Sequence, residues 1–132
     1  MADRSQGILL DSSVIIAHFR GKLDLFQLVR PNEPLFMPLV ALGELWKGVL
    51  KSANPPKHQG KLLSFLKVVA VLHPDGATAE HYARASVALE TKGRPIPEND
   101  IWIAAVALEL DMPLATRDAH FDRIDGLTVI HW

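Results

Sequence analysis

Short apolar runs alternate along the chain with longer segments whose apolar residues recur at helical spacing. Strands are predicted at residues 8–10, 35–37, 112–116 and 127–130, and residues 68–72 fit either a strand or a helix end. Helices are predicted at residues 14–19, 23–29, 39–52, 57–69, 78–92 and 99–110. This alternation predicts an α/β fold, a three-layer α/β/α sandwich around a mostly parallel central sheet.

The composition is that of an ordinary globular protein. Its 132 residues suit one domain spanning the whole chain, residues 1–132, with 48% hydrophobic and 22% charged residues. The chain has no cysteine, which excludes disulfides and a thiolate nucleophile. No apolar run approaches the roughly 20 residues that span a bilayer, and the first residues lack a signal-peptide pattern. We therefore expect a cytoplasmic protein with no membrane contact.

The first predicted strand stops at a carboxylate, Asp11, which Ser12 and Ser13 follow. Both serines are good helix N-caps, and the helix after them is apolar on nearly all sides. Open α/β sheets bind ligands outside the carboxyl ends of their strands, which is where Asp11 would lie. The simpler alternative is that Asp11 only caps the next helix, so the other acids must decide between the two.

Glu44 lies off the apolar stripe of the predicted helix 39–52. An ordinary surface pair with Lys47 would explain it, since such pairs three residues apart are common. The glycines at positions 43 and 48 favour a different interpretation, because two helical glycines cost about 1 kcal/mol each relative to alanine. We expect another group to pack closely against the backbone of this helix.

Two further acids occupy comparable positions. Asp100 follows Asn99, the predicted N-cap of the helix 99–110, and Asp118 follows the strand 112–116. An acid in the first turn of a helix is often only stabilising. This helix, however, is apolar on every side as far as Leu108 and must be largely buried, which favours a cleft at its start.

Together the four acids predict a metal site. Carboxylates gathered at one sheet edge repel one another, and a divalent cation removes that penalty. Hard oxygen ligands favour Mg²⁺ or Mn²⁺. The net charge is −1, so gathering four acids in one pocket would leave the remaining surface positive, as suits a polyanionic partner.

The order of these motifs resembles a PIN domain, and more narrowly the VapC-type toxins of bacterial and archaeal toxin–antitoxin pairs. The resemblance covers nearly the whole chain. It rests on Asp11-Ser12-Ser13, Glu44, Asn99-Asp100 with Ile103-Ala104-Ala105, and Thr116-Arg117-Asp118 with His120-Phe121.

The resemblance implies an acidic quartet of Asp11, Glu44, Asp100 and Asp118. Asp11, Asp100 and Asp118 would bind the metal directly, and Glu44 would bind through water or orient the nucleophile. Residues expected to support the quartet are Ser12, Asn99 and Thr116, with Asp122 as a possible fifth acid.

Activity and partners follow from the same resemblance. It implies Mg²⁺- or Mn²⁺-dependent cleavage of RNA, homodimerisation, and inhibition by a cognate antitoxin whose tail fills the acidic groove. Apolar residues near Phe26, Trp46 and Leu50 are candidates for the antitoxin's hydrophobic contact.

Other enzyme classes fit less well. A haloacid-dehalogenase phosphatase needs an aspartate at position 13, where Ser13 stands, and nucleotide-binding loops need glycines that the segment after Asp11 lacks. No serine-hydrolase elbow is present. The six histidines show no zinc-ligand spacing and are interpreted as surface or packing residues. The alternative left open is a catalytically inactive PIN-fold binding or scaffold module.

Overall fold

The structure, a computed structural model, describes residues 2–132. The strands are β1 Ile8–Leu10, β2 Leu35–Pro38, β3 Ala70–Leu72, β4 Leu114–Thr116 and β5 Val129–His131. The helices are α1 Ser12–Phe19, α2 Leu25–Leu28, α3 Leu39–Lys51, α4 Pro55–Phe65, α5 Gly76–Thr91 and α6 Glu98–Leu110. A 3₁₀ helix, Ala119–Arg123, connects β4 to the last strand.

The five strands form one parallel sheet in the order β3-β2-β1-β4-β5. This confirms the predicted α/β sandwich. The strand order reverses beside β1, whose neighbours are β2 on one side and β4 on the other. In sheets of this type, that reversal opens a crevice at the carboxyl ends of the strands. The acids that follow β1 and β4 therefore share one edge of the sheet.

Helices cover both faces of the sheet. Because side chains of a strand alternate between faces, Leu9 packs among residues of α5 and α6, whereas Ile8 and Leu10 pack among residues of α1 to α4. All three leucine and isoleucine side chains of β1 are fully buried. Among residues 2–132, no helix is both long and apolar enough to cross a membrane.

Helix α4 differs most from its prediction. It begins at Pro55 instead of residue 57, because the Asn54 side chain accepts a hydrogen bond from the Lys57 amide and proline fits the first helical turn. It ends at Phe65, well before residue 69. Leu63 of this helix is 46% exposed.

Two expectations about helix ends and helix packing were wrong. Pro97, not Asn99, occupies the N-cap position of α6, so Asn99 lies within its first turn. The glycines of α3 have no close neighbour, since a Cβ atom built on Gly43 or Gly48 would meet nothing within 4 Å. Each missing side chain therefore faces open space, and the close packing expected at these glycines is not formed within residues 2–132.

Gly7, which precedes β1, has a backbone conformation and a close neighbour that only glycine suits. Its φ is +112°, and an added Cβ would lie 2.7 Å from the carbonyl oxygen of Pro34. We expect Gly7→Ala to lower the free energy of unfolding by on the order of 1–3 kcal/mol, as measured by urea denaturation. The matched control, Gly43→Ala, lies in an open helical position and should gain about 1 kcal/mol. Equal effects of the two variants would contradict this explanation.

Candidate active site

Asp11 is 4% exposed and connects the ends of two strands. It occupies the N-cap position of α1, yet its side chain makes no capping hydrogen bond. Its Oδ2 instead accepts hydrogen bonds from the hydroxyls of Thr116, at 2.8 Å, and Ser13, at 2.7 Å. The simpler alternative, that Asp11 only caps the helix, is therefore wrong, because its side chain binds two hydroxyls and no helix amide. Among residues 2–132, no hydrogen-bond donor reaches its other oxygen, Oδ1.

The two hydroxyls that bind Asp11 also hold the loop after β4. Thr116 Oγ1 accepts the amide of Asp118 at 3.0 Å, and Ser13 Oγ accepts the amide of Arg117 at 3.0 Å. Each hydroxyl thus donates its one proton to Asp11 and receives a backbone proton in return. Thr116 was predicted as a support. Ser13 was missed, although a hydroxyl two residues after an acid can return to bind it.

Glu44 points from α3 toward the same edge. Ser12 Oγ donates to Glu44 Oε1 at 3.3 Å, so this serine supports Glu44 instead of Asp11. Burial raises the pKa of Glu44, and the charges of Asp11 and Asp100 raise it further, against the lowering effect of the Ser12 hydrogen bond. Within the described chain, no salt bridge joins Glu44 to Lys47, so the surface pair considered from the sequence is not formed.

Asp100 lies in the first turn of α6, with 13% of its side chain exposed. Burial is the main cause that raises the pKa of this carboxyl group. The hydrogen bond with His120 lowers the pKa, while the charges of Asp11 and Asp118 raise it. Asp100 therefore interacts electrostatically with Asp11 and Asp118. It also interacts with Glu44, because the charge of Asp100 raises the pKa of that residue.

A histidine completes this group. His120 Nδ1 lies 3.3 Å from Asp100 Oδ2 and 3.1 Å from Asp118 Oδ1. One ligand atom from each of the three residues fits within a 4.8 Å span. The interpretation of the histidines as surface or packing residues was therefore wrong for His120. The pattern Asp118-x-His120, directly after a strand, is the sequence signal that could have identified it.

Two predicted supporting residues lie apart from this cluster. The side chain of Asn99 is exposed, and in the described residues it forms no hydrogen bond with the quartet. Asp122 is paired with a different residue, since its Oδ1 lies 2.8 Å from Nε2 of His131, and both side chains are half exposed. Their roles in the site remain predictions.

The donors present fit a divalent cation. The site offers four carboxylates, and burial together with neighbouring carboxylate charges raises the pKa values of two of them, Glu44 and Asp100. It also offers an Asp11 oxygen without a donor and a compact Asp–Asp–His group. Hard oxygen ligands with several negative charges suit Mg²⁺ and Mn²⁺, and binding of either ion would relieve the repulsion.

Comparison with known proteins identifies the family of this chain. Residues 8–127 match the family model of the PIN domain. The chain belongs to the PIN domain family. The match includes all four acids of the predicted quartet, and it confirms the family resemblance identified from the motifs.

The named proteins that are similar to this chain include two ribonucleases of the VapC type. Ribonuclease VapC1 of Haemophilus influenzae strain R2866 is 32% identical over 130 residues, covering 94% of this chain and 96% of that protein. Ribonuclease VapC5 of Mycobacterium tuberculosis is 34% identical over 120 residues, covering 89% and 87%. The structure of Rickettsia felis VapBC2 bound to a fragment of its promoter DNA superposes with a TM-score of 0.88 at 26% identity, covering 95% and 98%.

The raised pKa of Asp100 predicts a pH-dependent cost to the metal-free PIN domain. A raised folded pKa gives stability that is complete below the ordinary value and is lost as the pH rises through the raised value. At neutral pH the charged group therefore destabilises the fold. We expect Asp100→Asn to raise the free energy of unfolding in EDTA at pH 7 by on the order of 1 kcal/mol, and by less as the pH falls toward the ordinary value.

The control for that measurement is Asp125→Asn. Asp125 is 75% exposed and is paired with Lys92, so the same loss of charge should change stability little. Urea denaturation of both variants at two pH values checks the prediction. A loss of stability in Asp100→Asn at neutral pH would contradict the like-charge explanation.

Proposed function

We propose that this PIN domain is a metal-dependent endoribonuclease that hydrolyses RNA phosphodiester bonds and acts as the toxin of a toxin–antitoxin pair. The observation that carries the proposal is the group of four acids at one edge of the sheet, where burial and the charges of neighbouring carboxylates raise the pKa values of Glu44 and Asp100. The likeness of this chain to proteins named Ribonuclease VapC supports RNA as the substrate. The proposed location of such a ribonuclease is the cytoplasm, where RNA is available.

Asp11, Asp100 and Asp118 are the proposed ligands of a Mg²⁺ or Mn²⁺ ion, with Asp11 presenting Oδ1. When bound, such an ion activates water, neutralises phosphate charge and stabilises the leaving oxygen. Thr116 and Ser13 fix Asp11 through its other oxygen, which orients Oδ1 before any ligand arrives. Catalytic groups generally need to be held in place before the substrate binds, and these two hydrogen bonds do so for Asp11.

Glu44 is proposed to handle the proton of the attacking water. Its pKa is raised, so its carboxylate binds a proton more readily than an exposed glutamate does. Ser12 holds one oxygen, Oε1, and thereby directs the carboxylate. Asp118 is set in position by the amide of His120 and by Thr116, which keep the loop after β4 against the site.

A catalytically inactive scaffold is the competing function. Such a protein would gain nothing from four clustered carboxylates, whose repulsion only lowers stability. Metal binding separates the two possibilities, because a scaffold should bind neither Mg²⁺ nor Mn²⁺. Calorimetric titration of the metal-free protein is sufficient for this test.

RNA cleavage should require both the metal and the acids. We expect EDTA to abolish cleavage, Mg²⁺ or Mn²⁺ to restore it, and Asp118→Asn to lower the rate by more than about 100-fold through loss of charge stabilisation. Because water is the proposed nucleophile, the products should carry 5′-phosphate and 3′-hydroxyl ends. Gel analysis of end-labelled RNA, with thermal denaturation to verify folding, checks both statements.

The matched control for this assay is Asp125→Asn, which removes an exposed acid outside the cluster and should cut at the wild-type rate. A folded Asp118→Asn protein with wild-type activity would refute the site. Products with 2′,3′-cyclic phosphate ends would refute the mechanism, since they require attack by the RNA's own 2′-hydroxyl.

An antitoxin is the proposed protein partner, and an apolar groove beside the acids is its proposed binding surface. One part of the groove runs from Glu44 past Gly48 and Leu62 to His58, and a second part is lined by Phe26 and Phe65. Phe19 lines both parts, so they are adjacent. Of the three apolar residues suggested from the sequence, Phe26 lines the groove, whereas Trp46 and Leu50 do not.

An arginine from the antitoxin tail could reach the carboxylates and take the place of the metal. The VapBC structures support a partnership of this kind, since they contain related chains in toxin–antitoxin complexes. Homodimerisation of this chain remains a prediction.

Growth measurements can test the toxin role. We expect overproduction of the chain to stop growth, and co-expression of the neighbouring antitoxin gene to restore it. Asp118→Asn should be harmless when overproduced, because toxicity depends on cleavage. Harmless overproduction of soluble, RNA-cleaving wild-type protein would contradict the toxin role while leaving the nuclease activity intact.

A further inference from the structure

We propose that His120 is a direct ligand of the divalent cation, through Nδ1, and that it makes the site favour Mn²⁺ or Co²⁺ over Mg²⁺. This inference rests on the proposed metal-dependent function and adds a ligand that the acidic quartet does not contain. The sequence indicated no metal role for this histidine, whereas its contacts with two acids in the structure do.

The fold fixes His120 beside the acids. Phe121, the next residue, is fully buried and anchors the 3₁₀ helix in the core. Asp118 caps that helix, and its Oδ1 accepts the backbone amide of His120 at 3.0 Å. The same oxygen lies 3.1 Å from the ring atom Nδ1. Backbone and ring of His120 therefore both face Asp118, and the ring is not free to turn into solvent without losing this contact.

The distances match those between neighbouring ligands of one ion. Nδ1 is 3.3 Å from Asp100 Oδ2 and 3.1 Å from Asp118 Oδ1. In an octahedral site with bonds of about 2.1 Å, adjacent ligand atoms lie about 3 Å apart. A small ion could thus bind all three atoms with little movement. The His120 side chain is 38% exposed, which leaves the cluster open to an ion entering from solvent.

The chemistry of Nδ1 also requires either a bound proton or a cation at this point. A nitrogen lone pair directed at two carboxylate oxygens would be repelled unless a proton or a cation lies between them. A proton would make His120 a hydrogen-bond donor that only positions the acids. A metal ion would make it a ligand. The two roles differ in their effect on metal preference, which makes them separable.

Metal preference follows from the type of ligand atom. Mg²⁺ favours oxygen ligands and water, whereas imidazole nitrogen binds later transition ions more strongly. A histidine ligand therefore adds affinity for Mn²⁺ and above all for Co²⁺, but little for Mg²⁺. A residue that only positions the acids would affect all three ions alike.

Pulsed electron paramagnetic resonance of the Mn²⁺-loaded wild-type protein tests the ligand directly. We expect a ¹⁴N coupling of the size given by an imidazole bound to the ion, and its loss in His120→Asn. The asparagine amide can still form hydrogen bonds with both carboxylates, so the variant retains a positioning role. The matched control is His131→Asn, which removes an imidazole from the exposed pair with Asp122 and should leave the spectrum unchanged.

Calorimetric titration with each ion provides the second readout. We expect His120→Asn to weaken Co²⁺ binding by about tenfold or more, and Mg²⁺ binding by less than about threefold. Equal weakening of all ions would overturn the ligand assignment and leave only a positioning role. A wild-type Mn²⁺ spectrum without ¹⁴N coupling would overturn it too, even if the variant fails to fold.

The same experiments separate this inference from the proposed function. If the wild-type protein binds Mn²⁺ and cleaves RNA but shows no nitrogen coupling, only the role of His120 fails. If it binds no divalent ion, both proposals fail.

Discussion

The burial of the Asp11 charge between β1 and β4 is the constraint on which the site depends. A carboxylate with 4% exposure needs compensating hydrogen bonds, and the hydroxyls of Thr116 and Ser13 supply them. Both hydroxyls then accept backbone amides from the loop after β4. One buried acid therefore determines the position of the loop that carries Asp118 and His120. Loss of this carboxylate would remove the acceptor that α1 and β4 share.

The parallel sheet explains why the acids meet. Its strands present their carboxyl ends at one edge, and the order reverses beside β1. Asp11 and Asp118 reach this edge directly from β1 and β4. Glu44 and Asp100 reach it from the helices α3 and α6, so their side chains come from both layers of the sandwich. Burial and the resulting repulsion raise the pKa values of these last two residues.

The sequence predicted the layers and the acids better than their supports. Apolar runs followed by Asp11 and Asp118 indicated the candidate site, because buried strands are recognised by their hydrophobicity. Local polar chemistry was harder to predict. Asn54 and Asp75 start α4 and α5 earlier than hydrophobic spacing suggests, through side chains that accept backbone amides. Ser13 and His120 were missed too, since each contacts an acid two residues away and also a group distant in sequence, the Arg117 amide for Ser13 and Asp100 for His120.

A site that concentrates negative charge is open to any suitable cation, and this links activity with inhibition. A metal ion and an arginine side chain would relieve the same repulsion among Asp11, Glu44 and Asp100, so the two should exclude each other. The apolar groove that begins at Glu44 gives a protein partner contacts that a metal ion lacks. A partner using both the groove and the acids could therefore compete with an ion far more abundant than itself. Repulsion among the acids lowers the stability of the free protein, and a bound metal ion or a bound partner removes that repulsion. The unbound form is therefore the least stable of the three states.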